Sequence, residues 1–275
     1  MDNITEKIVE AVRKTKQMHP LIHCLTNHIT INDCANIILA AGAKPIMAEH
    51  IKEVEEITLK AKALVINIGN ISDDRIASIF LSGNIAKQKG IPIIFDPVGV
   101  AGSNFRRELS REILLKLTPN IIRGNMSEIK ALYGIETQRV GVDVAEDDIT
   151  NDENIVNLAD IVNGFAIKQR AVVVATGKTD IIADSDNVYF INNGVKMLSE
   201  VTGTGCMCTS LTGVYASCGD YMGAAIAGAS VMGISGEIAK ENCKGIGSFK
   251  AALLDSLYNI SDEIIRQRSN IIEKQ

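Results

Sequence analysis

The chain has 275 residues, a formal net charge of −5, and 46% hydrophobic and 22% charged residues. That balance excludes a disordered or collagen-like polymer, and without a cationic excess the chain lacks a diffuse electrostatic grip on nucleic acid or an anionic membrane. The length suits one α/β domain over residues 1–275 with a sizeable buried core.

The amino-terminal segment MDNITEKIVEAVRKTKQ mixes both charge signs at helical spacing. It predicts a helix from about Ile4 to Lys16 and not a secretory leader, so a cytoplasmic protein is expected. HPLIHCLTNHIT predicts a short apolar strand entering a polar loop at Thr26, Asn27 and His28, where α/β proteins place ligands. INDCANIILAAGA, with an acidic start and a Gly42 stop, predicts a helix leading to the strand KPIMA, with Met47 at the strand end. A charged helix around Ile51 to Lys62, the strand ALVINIG, a helix around Asp73 to Lys89 and the strand IPIIFD ending at Asp96 repeat the alternation. A helix near Phe105 to Leu117, the strand NIIRGN, a helix beginning around Met126 to Glu128 and the strand AVVVATG follow. TDIIADSDNVYFINNG predicts a hairpin turning at Asp184 to Asn187. From Gly205 onward the expectation is helical: MCTSLTGVYASCG, then YMGAAIAGASVMGISGEIAK, then one long helix from about Ser248 to Gln267. Continuous apolar strands between helices predict a mainly parallel sheet covered on both faces. Tyr221 to Ala239 is rich in Ala and Gly and interrupted by Ser230, Ser235 and Glu237, so it reads as a buried helix and not a membrane span.

The six cysteines, Cys24, Cys34, Cys206, Cys208, Cys218 and Cys243, form no CxxC pair and read as free thiols in a reducing compartment. His19, His23 and His28 lie close together beside Cys24, but their spacing repeats no structural zinc pattern.

Val201-Thr202-Gly203-Thr204-Gly205-Cys206-Met207-Cys208-Thr209-Ser210 carries the chemistry. Two glycines before a run of small and apolar residues at helical spacing suit an anion-binding helix start, whose unpaired amides and positive dipole end stabilise negative charge. Cys206 falls at that end, where a thiolate is favoured; the plainer alternative is a Gly-rich turn into a buried helix with inert thiols. A dinucleotide fingerprint fails here because Cys208 stands where the third glycine belongs. Thr176-Gly177-Lys178-Thr179 fails as a P-loop because Val172 replaces its first glycine.

TGTGC opening a helix, DPVG at Asp96 to Gly99, RGNMSE at Arg123 to Glu128 and ATGK at Ala175 to Lys178 together resemble the hydroxyethylthiazole kinase family, a ribokinase-like group. HCLTNHITINDCAN, PIMA at Pro45 to Ala48, NIGN at Asn67 to Asn70 and GSF at Gly247 to Phe249 fit the same family, so the resemblance spans nearly the whole chain. Two departures touch substrate detail: NIGN stands where NIGT is expected, and Ile246 where Pro is familiar.

The resemblance implies ATP-dependent phosphorylation of the hydroxyethyl arm of the thiazole half of thiamine. Cys206 would stand where ribokinase-like enzymes commonly carry an Asp base, orienting the substrate hydroxyl or accepting its proton. The amides of Gly203, Thr204, Gly205 and Cys206 would stabilise the transferred phosphoryl group. Asp96 and Glu128, with Asn125 joining them, are hard oxygen ligands for Mg²⁺. Arg123, Thr176 and Gly177 would hold ATP, while Met47 and Gly203 would contact the thiazole, with Asn27 and His28 lining the pocket. The family is typically a homotrimer with sites at subunit interfaces. Other readings are a kinase of a hydroxymethylpyrimidine or pyridoxal-type alcohol, a Cys acyltransferase or hydrolase, and a nucleotide-binding protein without catalysis.

Overall fold

Short runs of buried apolar residues alternate with amphipathic helices along the first two thirds of the chain. The computed structural model describes residues 3–135, 150–151 and 153–274. The order is α1 (Asn3–Met18), β1 (Leu21–Leu25), α2 (Ile31–Ala40), β2 (Lys44–Ile46), α3 (Val54–Lys60), β3 (Ala63–Asn67), α4 (Asp73–Lys89), β4 (Ile93–Asp96), α5 (Asn104–Leu117), β5 (Ile121–Asn125) and α6 (Met126–Tyr133). It continues with α7 (Ile155–Gln169), β6 (Val172–Thr176), β7 (Asp180–Ala183), β8 (Val188–Ile191), α8 (Met197–Glu200), α9 (Thr204–Ala216), α10 (Tyr221–Asn242), α11 (Ile246–Tyr258), α12 (Asp262–Arg268) and β9 (Ile271–Glu273).

The strands form one sheet in the order β2-β1-β3-β4-β5-β6-β7-β8-β9, parallel from β2 to β6 and antiparallel from there to β9. Alternate strand residues feed two cores, as the two-residue period of a strand requires. Val65, Ile94, Ile121 and Val174 pack with α1, α2, α9, α10 and α11 on one face. Leu64, Ile66, Phe95, Ile122 and Val173 pack with α3 to α7 on the other. This is the mainly parallel, doubly covered sheet that the sequence predicts. The chain leaves β1 toward β2 on one side and toward β3 on the other, so the sheet has a topological switch point there, where open α/β sheets bind ligands.

Helix starts follow capping chemistry. The hydroxyls of Ser72, Ser103 and Ser261 and the carboxylate of Asp220 accept backbone N–H groups at the starts of α4, α5, α12 and α10. α10 is long and apolar enough to cross a membrane by length and composition, yet 89% of its apolar window is buried inside the fold. The hairpin turns where expected, with Asp184 N donating to Asn187 O at 3.1 Å.

Three boundaries differ from expectation. α3 begins at Val54 and not Ile51, because residues 51–53 form a turn in which Glu53 N and Val54 N both donate to His50 O. The single helix expected from Ser248 to Gln267 is two, since Ser261 accepts from Ile264 N and starts α12 afresh. The third is an added end: the carboxyl third is mainly helical, as expected, but closes on β9, which pairs with β8, and Asn270 N donates to Asn193 Oδ1 at 2.9 Å beside it.

Candidate active site

On four adjacent strands the residue that closes the face toward α9 is polar. Val65 leads to Asn67, Ile94 to Asp96, Ile121 to Arg123 and Val174 to Thr176, each two residues on and so on the same face of the sheet. Register aligns them: Asn67 lies opposite Asp96, Ile94 opposite Ile121, and Arg123 opposite Val174. The outcome is a polar row along the carboxyl edge of the parallel strands. Asn67 Nδ2 donates to Asp96 Oδ2 at 2.9 Å, Arg123 Nη1 lies 4.0 Å from the same oxygen, and Arg123 Nη2 donates to Thr176 Oγ1 at 2.8 Å.

The amino end of α9 faces this row. Gly203 precedes the helix with φ of 95°, and the first intrahelical bond runs from Met207 N to Gly203 O at 2.8 Å. The N–H groups of Thr204, Gly205 and Cys206 therefore precede the helical ladder, and no side chain among the described residues caps them. The Thr204 hydroxyl turns back to Leu198 O at 2.6 Å and Val201 O at 3.1 Å, which anchors the turn. A Cβ at Gly205 would lie 2.9 Å from Arg123 Nη1, so glycine there lets the guanidinium approach the helix start. One turn on, Thr209 Oγ1 donates to Asp96 Oδ2 at 2.7 Å and fixes α9 over β4.

Cys206 Sγ accepts from Asn27 Nδ2 at 3.1 Å and from Asn67 Nδ2 at 3.2 Å. Burial, then the charge of Asp96, pushes its thiol up to about 11, against the pull of the Thr30 hydroxyl and the Arg123 guanidinium. Of the two readings the sequence leaves open, a favoured thiolate and an inert thiol, burial selects the second: Cys206 is a neutral thiol at neutral pH. Alkylation of Cys206 by iodoacetamide, followed peptide by peptide with mass spectrometry, is expected to be slow at neutral pH and to rise toward pH 11. A rate already at its plateau at neutral pH would contradict that environment.

Each histidine is engaged elsewhere: His19 with Gly42 O, His23 with Thr58 and Ala48, His28 with Glu49, and His50 with Lys52 N. The base that a Cys acyltransferase or hydrolase needs is not beside Cys206. Among the described residues no group of three or more His, Cys, Asp or Glu is gathered to hold a metal by itself.

Glu128 and Asn125 cap α6 reciprocally: Asn125 Oδ1 accepts from Glu128 N and Glu128 Oε2 accepts from Asn125 N, both at 2.9 Å. The capping role that this pair offers as an alternative to ligation is therefore present. Glu128 Oε1 also accepts from Gly99 N at 2.8 Å, joining the loop after β4 to α6. Burial and then Asp96 raise the Glu128 carboxyl to about 7, and burial also raises that of Asp96. Asp96 is fully buried and its Oδ1 has no hydrogen-bond partner among the described residues.

Gly177 closes the ATGK turn, its N–H donating to Asp180 Oδ1 at 2.9 Å. Burial raises the Asp180 carboxyl from its ordinary 3.8 to about 6. The native state then holds a proton that the unfolded chain releases, so stability falls as pH rises from about 4 to about 6. Asp180→Asn, whose carbonyl can still accept from Gly177, is expected to be more stable than the wild type at neutral pH by up to about 3 kcal/mol. Denaturant melts across that window should show the advantage disappearing toward pH 4.

Met47 follows β2, half-buried and packed on the core at the α9 side. The loops holding Asn27 and Met47 are strapped together by the buried Arg75, which donates to Thr26 O at 2.7 Å and to Glu49 Oε2 at 3.1 Å. Arg106 similarly joins the loops after β3 and β4, donating to Ile68 O, Val98 O and Gly69 O. Of the predicted residues, Asn27, Asp96, Arg123, Thr176 and Gly203 to Cys206 meet at one place; Glu128 and Asn125 flank it, and Met47 lies one strand farther out. Sequence reasoning passed over Asn67, Thr209, Arg75, Arg106 and Asp180. For Asn67 a signal was present, a polar residue ending an apolar strand just as Asp96 ends the next.

A 2-1-3-4-5-6 parallel sheet with a Gly-rich helix start opposite a strand-end aspartate defines a ribokinase-like small-molecule kinase. The profile of the hydroxyethylthiazole kinase family matches residues 12–263. Hydroxyethylthiazole kinase 2 of Clostridium botulinum is 45% identical over 259 residues, 94% of this chain and 97% of that protein. Hydroxyethylthiazole kinase of Ruminiclostridium cellulolyticum is 45% identical over 278 residues, 99% of this chain and 100% of that one. The structure of a hydroxyethylthiazole kinase protein from Pyrococcus horikoshii superimposes with a TM-score of 0.89 at 33% identity, covering 98% of this chain and 100% of that one. The chain belongs to the hydroxyethylthiazole kinase family. A Bacillus subtilis pyridoxal kinase, at 12% identity and a TM-score of 0.60, shares the fold.

Proposed function

We propose that this kinase transfers the γ-phosphoryl group of ATP to the hydroxyl of 4-methyl-5-(2-hydroxyethyl)thiazole, in thiamine biosynthesis or salvage. It does so as one domain over residues 1–275 and as a cytoplasmic homotrimer. The observation that carries the reading is the uncapped start of α9 set against Asp96 and Arg123, with Cys206 between them. Three free amides and a guanidinium converge where a phosphoryl group moving from ATP would gather negative charge. Met47 and Asn27 line the acceptor side. Both N–H bonds of Asn27 Nδ2 are taken by Asn67 and Cys206, and Thr30 N donates to its Oδ1, which leaves one lone pair for a ligand.

Cys206, as a neutral thiol, orients the acceptor hydroxyl and does not act as a strong base, and a loose phosphoryl-transfer transition state asks little of a base. Arg123 and Thr176 hold the phosphates of ATP, with Gly177 beside them. The donors fit a divalent cation: among the described residues Asp96 presents a buried oxygen without a partner, and burial together with the charge of Asp96 holds the Glu128 carboxyl well above its ordinary range, as happens to carboxylates gathered without a cation. Asp96 and Glu128, with Asn125 close by, would hold Mg²⁺ with phosphate oxygens and water completing its shell. When bound, Mg²⁺ supplies charge neutralisation at the phosphates.

The test is ATP- and Mg²⁺-dependent phosphorylation of the thiazole alcohol by purified protein, read as the phosphate ester by mass spectrometry beside hydroxymethylpyrimidine and pyridoxal. Product from the thiazole alone is expected. Product only from another alcohol would overturn the acceptor and keep the kinase, and no product from any would overturn both.

A further inference from the structure

We propose that Asn67 is a positioning residue for phosphoryl transfer, acting through Cys206 without touching substrate. Asn67 closes β3 and is buried to 1% exposure. Its amide is fully used: Nδ2 donates to Asp96 Oδ2 at 2.9 Å and to Cys206 Sγ at 3.2 Å. Its Oδ1 accepts from Gly69 N at 2.8 Å and from Asn27 Nδ2 at 3.3 Å. Two donors and two acceptor sites are all that a carboxamide has, so no capacity remains for a ligand. The orientation is also determined. Exchanging oxygen and nitrogen would turn Oδ1 toward the Asp96 carboxylate and an N–H toward the Gly69 N–H, losing both bonds.

The consequence falls on the sulfur. Cys206 sits in the first turn of α9, where a cysteine side chain has one torsion to its sulfur and staggered choices for it. The N–H groups of Asn67 and Asn27 select one of these and occupy the sulfur on the sheet side. The S–H bond is left to point away from them, on the side where the Thr30 hydroxyl also lies within hydrogen-bonding reach of the sulfur. Because the same Asn67 nitrogen holds Asp96, the carboxylate on the phosphate side and the thiol on the acceptor side are held in one frame. A small misplacement within such a frame costs rate, on the order of a hundredfold for 1 Å.

This inference rests on the kinase reading, and the experiment separates the two. Wild-type protein that makes no phosphate ester fails the kinase reading; an active wild type allows the test of Asn67. Asn67→Ala is made in the wild type and in Cys206→Ala, and kcat and both KM values are measured. In the wild type, kcat is expected to fall on the order of 10–100-fold, with the KM for ATP and acceptor changed less than about threefold. In Cys206→Ala the further loss from Asn67→Ala is expected to be below about threefold, because the thiol it positions is gone and Thr209 still holds Asp96 Oδ2 at 2.7 Å. An equal loss in both backgrounds, or a loss carried by KM, overturns the proposal. Asn67→Thr, which suits a strand and keeps most of the volume, goes through the same cycle, so a folding defect in one variant does not decide the result.

Discussion

Asp96→Asn is expected to lower kcat about a thousandfold, a loss typical of removing a charge-stabilising group from a water-excluded site, while the melting temperature stays within a few degrees. The separation follows from the environment of the carboxylate. Asn67 and Thr209 both donate to Asp96 Oδ2, and an asparagine carbonyl at that position can accept from both. The change therefore falls on Oδ1, the buried oxygen with no partner, where an amide N–H would replace a lone pair. An amide N–H cannot ligate a cation. For the fold the substitution is mild because burial already raises the Asp96 carboxyl above its ordinary range, so the charged form is held at a cost that asparagine avoids. Arg123 loses a counter-charge 4.0 Å away, which offsets part of that gain. Initial rates with a Mg²⁺ titration, beside a thermal melt, check both halves. A melting point that drops in step with kcat would make Asp96 structural, and recovery of rate at high Mg²⁺ would reduce its role to metal affinity.

How much of this was legible in the chain can be argued from single residues. Asp96 was readable because IIFD is an apolar strand that ends on a charge, and strand ends are where parallel sheets present ligands. Gly203 to Cys206 were readable because glycines before a helical pattern have few uses other than a turn or an anion site. Asn67 ends its strand in the same way, but its weight comes from lying opposite Asp96, and register between strands separated by a whole helix is not written in either one. The ionisation of Cys206 was not legible because helix position is a local property and burial is not. The break at Ser261 and the pairing of β9 with β8 were missed for a related reason. A serine N-cap inside a helical pattern is a weak local signal, and three residues make a strand only when an edge is waiting for them. Arg75 and Arg106 carry no local signal in their helices, and only the tertiary fold turns them into straps between loops.

Gly203→Ala is expected to lower kcat about a hundredfold and to destabilise the fold by about 1–3 kcal/mol. Two costs add at this position. With φ of 95° the backbone lies in the region that side chains rarely adopt, and a Cβ would stand 2.7 Å from Thr30 Cγ2. Thr30 cannot yield without disturbance to the thiol, because its N–H bonds Asn27 Oδ1 and Asn27 bonds Cys206 Sγ. On its other side the space is closed by Asp33, whose Oδ2 would lie 3.5 Å from the new Cβ and which Lys250 holds at 2.7 Å. The neighbouring Gly205→Ala has a different signature. Its Cβ would meet Arg123 Nη1 at 2.9 Å, the far end of a flexible side chain that can swing aside. The cost there is the loss of Arg123 from Thr176, so the KM for ATP should rise several-fold while stability changes by less than about 1 kcal/mol. Kinetics of the two variants side by side, with melts of each, decide whether the two glycines of TGTGC serve separate halves of the site. If both variants raise the KM for ATP and spare kcat, Gly203 belongs to the nucleotide side, and the placement of the acceptor beside Met47 and Asn27 is wrong.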